Sequence, residues 1–549
     1  MASDLKNEKD SIQSDAKVDV AHEEHPTFLK GEKVVEALNA DFAAAVETGR
    51  INPFTKTAFV VYCCAAVAFM CSCGNGYDGS VMTGINGMTT YNKFNQGQLD
   101  VSTGIIFSIY TIGQMCGSLV AGFICDRFGR RAAMFTGCLF IMAGSAVIAS
   151  SEAKNQFIGG RFVLGFGIAI ATIGAPTFTV ECSPPQWRGR LTGLYNTGWN
   201  GGAIPAAGIT LATSNMTSDW GWRIPLIIQA VPASIVVCTV WFLPESPRWT
   251  MAQGRKEEAF AWLTKYHGNG DPKHPVVQLE MREFQENIHS NGSDKRWWDF
   301  KSLLVNRNHR WRFLMVFLMG FFGQMSGNGL GYFNVKDIPV FSLGFGKKMQ
   351  FNMNLINTCL NAIAAWIATA FADKIPRRKV LIVGTALCSV CLALNAGFSA
   401  VWAKYPDDGP KNLKIGNAAV TFYYFFNIVY SFTYTPLQSL YPAECLENAT
   451  RAKGISMKIF VIGCTSFINL FCTPPAYAVL GWKYILVFVF WDAFETVIWY
   501  FFCVETQGRT LEELDEIFSA PNPSKASRQK RTARCSSTFS LHSIINTDL

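Results

Sequence analysis

Apolar runs of about twenty residues recur along the chain, separated by short polar connections. They fall at 57–77, 103–124, 132–150, 157–178, 191–212 and 223–242. After a polar interval they resume at 311–334, 351–372, 379–399, 417–440, 456–477 and 484–503. An α-helix rises about 1.5 Å per residue, so such a run crosses the ~30 Å hydrocarbon core of a bilayer. The pattern predicts an all-α membrane protein with twelve transmembrane helices in two six-helix halves, 57–242 and 311–503. Residues 1–56 read as a disordered head, 243–310 as a bridge and 504–549 as a tail. Stretches 254–265 and 276–287 of the bridge have the spacing of short amphipathic helices.

Composition agrees with this reading. Of 549 residues, 49% are apolar and 16% charged, whereas an ordinary soluble domain carries about 25% charged residues. A net charge of +8 would suggest nucleic acid in a soluble protein. Here the basic residues crowd alternate connections, as in "DRFGRR", "QWRGR", "ADKIPRRK" and "ENATRAKG", and nucleic acid is not an expected partner. Basic connections stay in the cytoplasm, so both termini and the bridge are expected there, with Lys336, Lys347 and Lys348 running against the bias. The polar first 24 residues lack the apolar core of a cleaved signal peptide. Most cysteines lie inside apolar runs, where they act as small hydrophobes, and no spacing suggests a metal or cofactor site. On this topology Asn215 is an external glycosylation candidate, while Asn291 and Asn448 face the cytoplasm.

The charged residues that remain near the membrane follow a repeat. Asp126, Arg130 and Arg131 after the second run are echoed by Asp373 and Arg377 after the eighth. Glu181 precedes Arg188 by seven residues, as Glu444 precedes Arg451. Duplicated acid–base sets at helix ends suit ion pairs that hold one state of a moving bundle closed. Asp78 stands at the end of the first uncharged run, where an ionised group is costly without a cavity or partner. Asp492 and Glu495 are acids in the last run, and the sequence assigns them neither partner nor mechanism.

The ordered motifs "GYDGS" (76–80), "DRFGRR" (126–131), "GGRFVLGFG" (159–167), "ECSPPQWRGR" (181–190), "PESPRW" (244–249), "GQMSGNG" (323–329) and "VETQGRTLEEL" (504–514) carry a resemblance over about 57–518. The chain resembles the sugar porters of the major facilitator superfamily, and more narrowly their fungal lactose and cellodextrin permease-like branch. The resemblance implies alternating access around a mid-membrane sugar site. A neutral sugar needs amides and hydroxyls to replace its water hydrogen bonds, with aromatic faces against its C–H surface. Asn196, Asn200, Gln324, Asn328, Asn361, Gln438 and Ser439 are the expected binding set, with Asn357, Tyr434, Trp199 and Tyr332 as further candidates.

By motif position, Asn196 matches a sugar-binding glutamine, Gln324 the second of a glutamine pair, and Asn361 a binding asparagine. Gly323 stands where the first glutamine would be, Asn328 lies one residue before the usual asparagine, and Ser439 replaces a frequent tryptophan. These smaller groups suggest room for a β-linked disaccharide, lactose or cellobiose. Asp78 occupies a position that is acidic in proton-coupled porters, and Arg161 matches its partner. The implied function is proton-coupled sugar import across the plasma membrane. The alternatives are a general hexose porter, or a sugar sensor whose basic, Ser-rich tail engages cytoplasmic signalling partners.

Overall fold

The structure, a computed structural model, describes residues 52–94, 101–291, 300–332, 347–371, 375–404, 413–447, 450–507, 509 and 511–528. These residues form helices and connecting turns. The first group comprises α1 (Lys56–Asn86), α2 (Thr89–Phe94), α3 (Val101–Phe128), α4 (Arg130–Ala149), α5 (Lys154–Cys182) and α6 (Pro185–Thr213). It closes with the broken pair α7 (Trp220–Ile228) and α8 (Ala230–Thr239). The bridge forms α9 (Pro247–Ala252), α10 (Lys256–Tyr266) and α11 (Pro275–Asn291), matching the two amphipathic stretches expected there. The second group comprises α12 (Arg307–Met325), α13 (Lys347–Phe371), α14 (Arg377–Trp402), α15 (Leu413–Cys445), α16 (Arg451–Leu480) and α17 (Lys483–Phe502). Two short helices follow, α18 (Leu511–Ser519) and α19 (Pro523–Ala526).

Ten described helical elements are long and apolar enough to cross a membrane. The expected fifth and tenth spans, α6 and α15, are not among them although they run 29 and 33 residues. Their polar content is the reason: α6 carries Arg188, Arg190, Asn196 and Asn200, and α15 carries Asn417, Asn427, Gln438 and five tyrosines.

Packing repeats between the two groups. In the first, α1 lies along α6, and α5 takes both α3 and α4. In the second, α12 lies along α16, and α15 takes both α13 and α14. The groups meet through the reciprocal pairs α3–α16 and α6–α13. Close approach needs glycine in places. A Cβ on Gly76 would sit 1.8 Å from the Trp199 carbonyl oxygen, and one on Gly202 would sit 1.9 Å from that of Cys73. The α1–α6 pair is therefore zipped backbone to backbone.

Two helix irregularities shape the interior. Helix α12 ends sooner than its apolar run, because Gly327 adopts φ +81° and turns the chain into a 3₁₀ turn at Asn328–Tyr332. In α15, Pro442 lacks the N–H that would bond the Gln438 carbonyl. Lys458 Nζ donates to that freed oxygen at 2.9 Å.

Candidate functional site

Helix α1 continues to Asn86, so Asp78 lies within it and not at its end. Asp78 and Arg161 are each 2% exposed. Arg161 Nη1 lies 2.5 Å from Asp78 Oδ1, and Gln229 Nε2 donates to the same oxygen at 2.8 Å. Burial in a low-dielectric bundle makes such a pair strong and its separation expensive. The guanidinium also stacks over the Tyr110 ring at 4.7 Å. Tyr110 OH donates to Asn75 Oδ1 at 3.3 Å and accepts from Gln114 Nε2 at 2.9 Å. Thus α1, α3, α5 and the α7–α8 break all contribute. Gln229 escaped sequence reasoning, although a lone amide in "PLIIQAVPAS" was a usable signal.

The expected sugar amides divide into connected and unsatisfied groups. Gln324 Oε1 accepts from Ser466 Oγ at 3.0 Å and from Asn328 Nδ2 at 3.4 Å. Asn328 Nδ2 also reaches Tyr430 OH at 3.2 Å, and Asn469 Nδ2 donates to the Gln324 carbonyl at 2.9 Å. Between the two groups of helices, Asn196 Nδ2 donates to Ser439 Oγ at 3.0 Å. Asn200 Nδ2, Asn357 Oδ1, Asn361 Oδ1 and Gln438 Nε2 are buried without a protein partner. Such atoms suit a ligand that supplies hydroxyls. The room expected at Gly323 is occupied: a Cβ there would lie 2.2 Å from Gln438 Nε2. Trp199 covers Gly79, one residue from Asp78, while Tyr332 closes the 3₁₀ turn and Tyr434 turns to Glu495.

At the basic ends the repeat becomes a matched pair of clusters. Arg130 grips Glu181 through Nε–Oε2 at 2.9 Å and Nη2–Oε1 at 3.2 Å, with Asp126 at 3.5 Å. Arg377 grips Glu444 through Nη2–Oε1 at 2.8 Å and Nε–Oε2 at 3.3 Å. In each cluster a second carboxylate caps the helix that the arginine begins. Glu245 accepts from the Arg130 and Arg131 amides at 3.2 and 3.3 Å, and Glu505 from the Arg377 and Arg378 amides at 3.0 and 3.1 Å. Those amides have no intrahelical acceptor, so a carboxylate there is doubly favourable. Burial pushes the Glu245 carboxyl above its ordinary value, opposed by the Ser246 and Arg131 amides and the neighbouring guanidinium groups.

The adjacent hydroxyls repeat as well, Ser246 Oγ and Thr506 Oγ1 each donating at 2.5 Å to Glu181 and Glu444. Arg131 binds the Trp241 carbonyl and stacks on its ring, as Arg378 does with Tyr500. Glu245 and Glu505 lay inside quoted motifs but were not among the expected gating residues.

Other expected pairings differ. Glu181 meets Arg130, whereas Arg188 pairs with Glu280 at 3.1 Å. Glu280 also binds His267 Nδ1 at 2.5 Å, which ties the bridge helices to the start of α6. Arg451 opens α16, while Asp373 lies outside the described residues. Asn215 sits exposed in the turn between α6 and α7, Asn291 closes α11, and Asn448 lies outside the described residues. Among the described residues no cluster of three or more His, Cys, Asp or Glu suits a metal ion.

A helical bundle with duplicated packing, duplicated charge clusters and buried amides defines a multi-spanning membrane transporter. The model of the sugar (and other) transporter family matches residues 64–518, and the chain belongs to that family. It is 28% identical over 480 residues to the MFS glucose transporter mfs1 of Aspergillus flavus, covering 83% of this chain and 89% of that one. It is 26% identical over 485 residues to High-affinity glucose transporter 1 of Candida albicans, covering 85% and 87%. It is also 26% identical over 512 residues to a quinate permease of Neurospora africana, covering 88% and 93%. Among solved structures, the proton:xylose symporter XylE bound to 6-bromo-6-deoxy-D-glucose superposes with a TM-score of 0.67 at 19% identity. That match covers 84% of this chain and 100% of XylE. The inward-open form of XylE from E. coli gives 0.66 at 18% identity, over 83% and 99%. The fold is that of the major facilitator transporters.

Proposed function

We propose that the protein is a proton-coupled importer of a neutral, hexose-type sugar, working by alternating access in the plasma membrane with both termini cytoplasmic. The observation that carries this reading is the buried Asp78–Arg161 pair. Beside the guanidinium the carboxylate stays ionised, and moved away from it in a dry interior it prefers a proton. Conformation and protonation are then linked in both directions. On this reading α6 and α15 are also spans, making twelve, and their polar faces line the pathway. Asn196, Asn200, Gln324, Asn328, Asn361, Gln438 and Ser439 bind the sugar. The Arg130–Glu181 and Arg377–Glu444 clusters gate the cytoplasmic side, with Asp126, Arg131 and Arg188 in supporting positions; the gating roles of Asp373 and Arg451 rest on the sequence repeat alone.

The glucose transporters of Aspergillus flavus and Candida albicans among the relatives support a hexose. So does Gln438, which fills the space beside Gly323 that a disaccharide was expected to use. The test is competition against labelled glucose in a transporter-deficient host. Glucose, galactose and xylose are expected to compete better than lactose, cellobiose or maltose. Stronger competition by the β-disaccharides would return the assignment to lactose or cellobiose.

A further inference from the structure

Asp492 and Glu495 stand three residues apart on α17, a spacing that puts both on one side of the helix. Both are fully buried. Their surroundings differ sharply. Glu495 is surrounded by hydrogen-bonding groups: Tyr434 OH donates to Oε2 at 3.1 Å, Ser326 Oγ lies 2.9 Å from the same atom, and Trp491 Nε1 donates to Oε1 at 2.5 Å. Asp492 has none, and both of its carboxyl oxygens are buried without a hydrogen-bond partner.

No described Lys, Arg or His forms an ion pair with either acid. Among the described residues, the titratable groups that face them are Cys388 from α14 and Tyr434 from α15. Helix α12 contributes only the Ser326 hydroxyl, and the described parts of α16 and α19 bring no ionisable group within bonding distance. Two neighbouring anions with no cation in a membrane interior are not tenable, and one of them must be neutralised. The donors around Glu495 suit an anion, whereas the bare Asp492 suits the acid.

We propose that Asp492 and Glu495 form a second proton-binding site, in the C-terminal half and separate from Asp78, with the proton held on Asp492. The site touches the sugar-binding turn. Ser326 lies two residues from both Gln324 and Asn328, and Tyr434 stacks at 5.2 Å on Tyr430, whose hydroxyl meets Asn328. Loss of the proton leaves two adjacent anions, and their repulsion pushes on the Ser326 turn. Sugar affinity should therefore fall as the site empties, a consequence that rests on the proposed sugar reading.

The protonation itself is tested without sugar. Infrared spectra of the full-length protein in lipid vesicles should show a protonated-carboxyl carbonyl band at neutral pH, absent from Asp492→Asn and retained at a shifted frequency in Asp492→Glu. An unchanged band in Asp492→Asn overturns the assignment, whatever the transported solute. A band abolished by sodium in place of protons also overturns it, in favour of a metal-cation site. In sugar-binding titrations, wild type should lose about tenfold in affinity between neutral and alkaline pH. Asp492→Asn, which mimics the protonated acid, should remain within twofold over that range while Asp78→Asn retains the loss. An Asp492→Asn profile that follows wild type would refute the link to the sugar turn and leave the infrared result to decide the site.

Discussion

Gln229 donates to the same oxygen of Asp78 that receives Arg161, so the buried carboxylate is held by a charged partner and a neutral one. The two come from different elements, Arg161 from α5 and Gln229 from the break between α7 and α8. On the proposed coupling, proton exchange at Asp78 requires both contacts to open. Gln229 is therefore a positioning residue whose loss should change turnover more than sugar affinity.

For Gln229→Leu the expected outcome is a fall of about tenfold or more in kcat for uptake, since one hydrogen bond to a charged group contributes about 1.5–3 kcal/mol. The sugar KM should stay within about threefold, a difference of less than 1 kcal/mol. Initial-rate measurements at matched surface level check the split. A change confined to KM would make Gln229 part of the sugar site.

The matched clusters make a prediction about symmetry. Glu245→Gln and Glu505→Gln each place an amide group among N–H donors that a carboxylate had satisfied, costing about 1–3 kcal/mol. Both variants should unfold at lower temperature in detergent and shift the balance between inward- and outward-facing states in the same direction. Fluorescence pairs across the face that carries these clusters would report the shift. Opposite shifts, or an effect in one half alone, would contradict a shared latch.

Much of this was legible in the sequence. The apolar runs anticipated the long helices, the duplicated acid–base connections anticipated the matched clusters, and the family resemblance anticipated the Asp78–Arg161 pair. Less was legible wherever partners come from distant segments. Glu181 was read with Arg188, its neighbour in the chain, yet it meets Arg130, which lies 51 residues away. Gly323 was read as empty space, because a sequence does not reveal which side chain folds into it. Helix α12 was drawn too long, since apolarity continues past Gly327 while the backbone turns there. The fate of Asp492 and Glu495 depended on their having no ion-paired Lys, Arg or His among the described residues, which only packing reveals.

Glycine substitutions separate close packing from pocket chemistry. Gly76→Ala drives a Cβ onto a backbone carbonyl, which cannot move aside. Surface expression should be lost almost completely. Gly323→Ala meets only the tip of Gln438, a flexible side chain, so the protein should fold and reach the surface. Its sugar affinity should fall several-fold, and Gly323→Ala with Gln438→Ala should recover expression-normalised binding toward that of Gln438→Ala alone. Normal expression of Gly76→Ala would contradict the backbone-to-backbone contact of α1 and α6.

Described residues of the tail beyond Phe518 contact the rest of the protein. Pro521 O accepts from Arg307 Nη2, and Ser527 Oγ accepts from the Glu505 amide at 3.2 Å. Truncation after Phe518 removes both contacts and should lower stability and uptake together. Truncation after Arg528 keeps them and should leave uptake intact. Loss of sugar-induced gene expression in that second truncation, with uptake unchanged, would support cytoplasmic signalling by the tail; retention of both would leave transport as the sufficient account.

The central claim is that Asp78 couples protons to sugar movement, and Asp78→Asn in reconstituted vesicles tests it most directly. Asparagine keeps the shape and can still accept a hydrogen bond from Gln229, but it removes the titrating charge opposite Arg161. With an inward proton gradient, wild type should accumulate labelled glucose about tenfold or more above the external level. Asp78→Asn should equilibrate glucose without concentrating it, show no sugar-dependent proton influx, and still exchange bound sugar across the membrane. Accumulation by Asp78→Asn to the wild-type level, with proton influx preserved, would contradict the account.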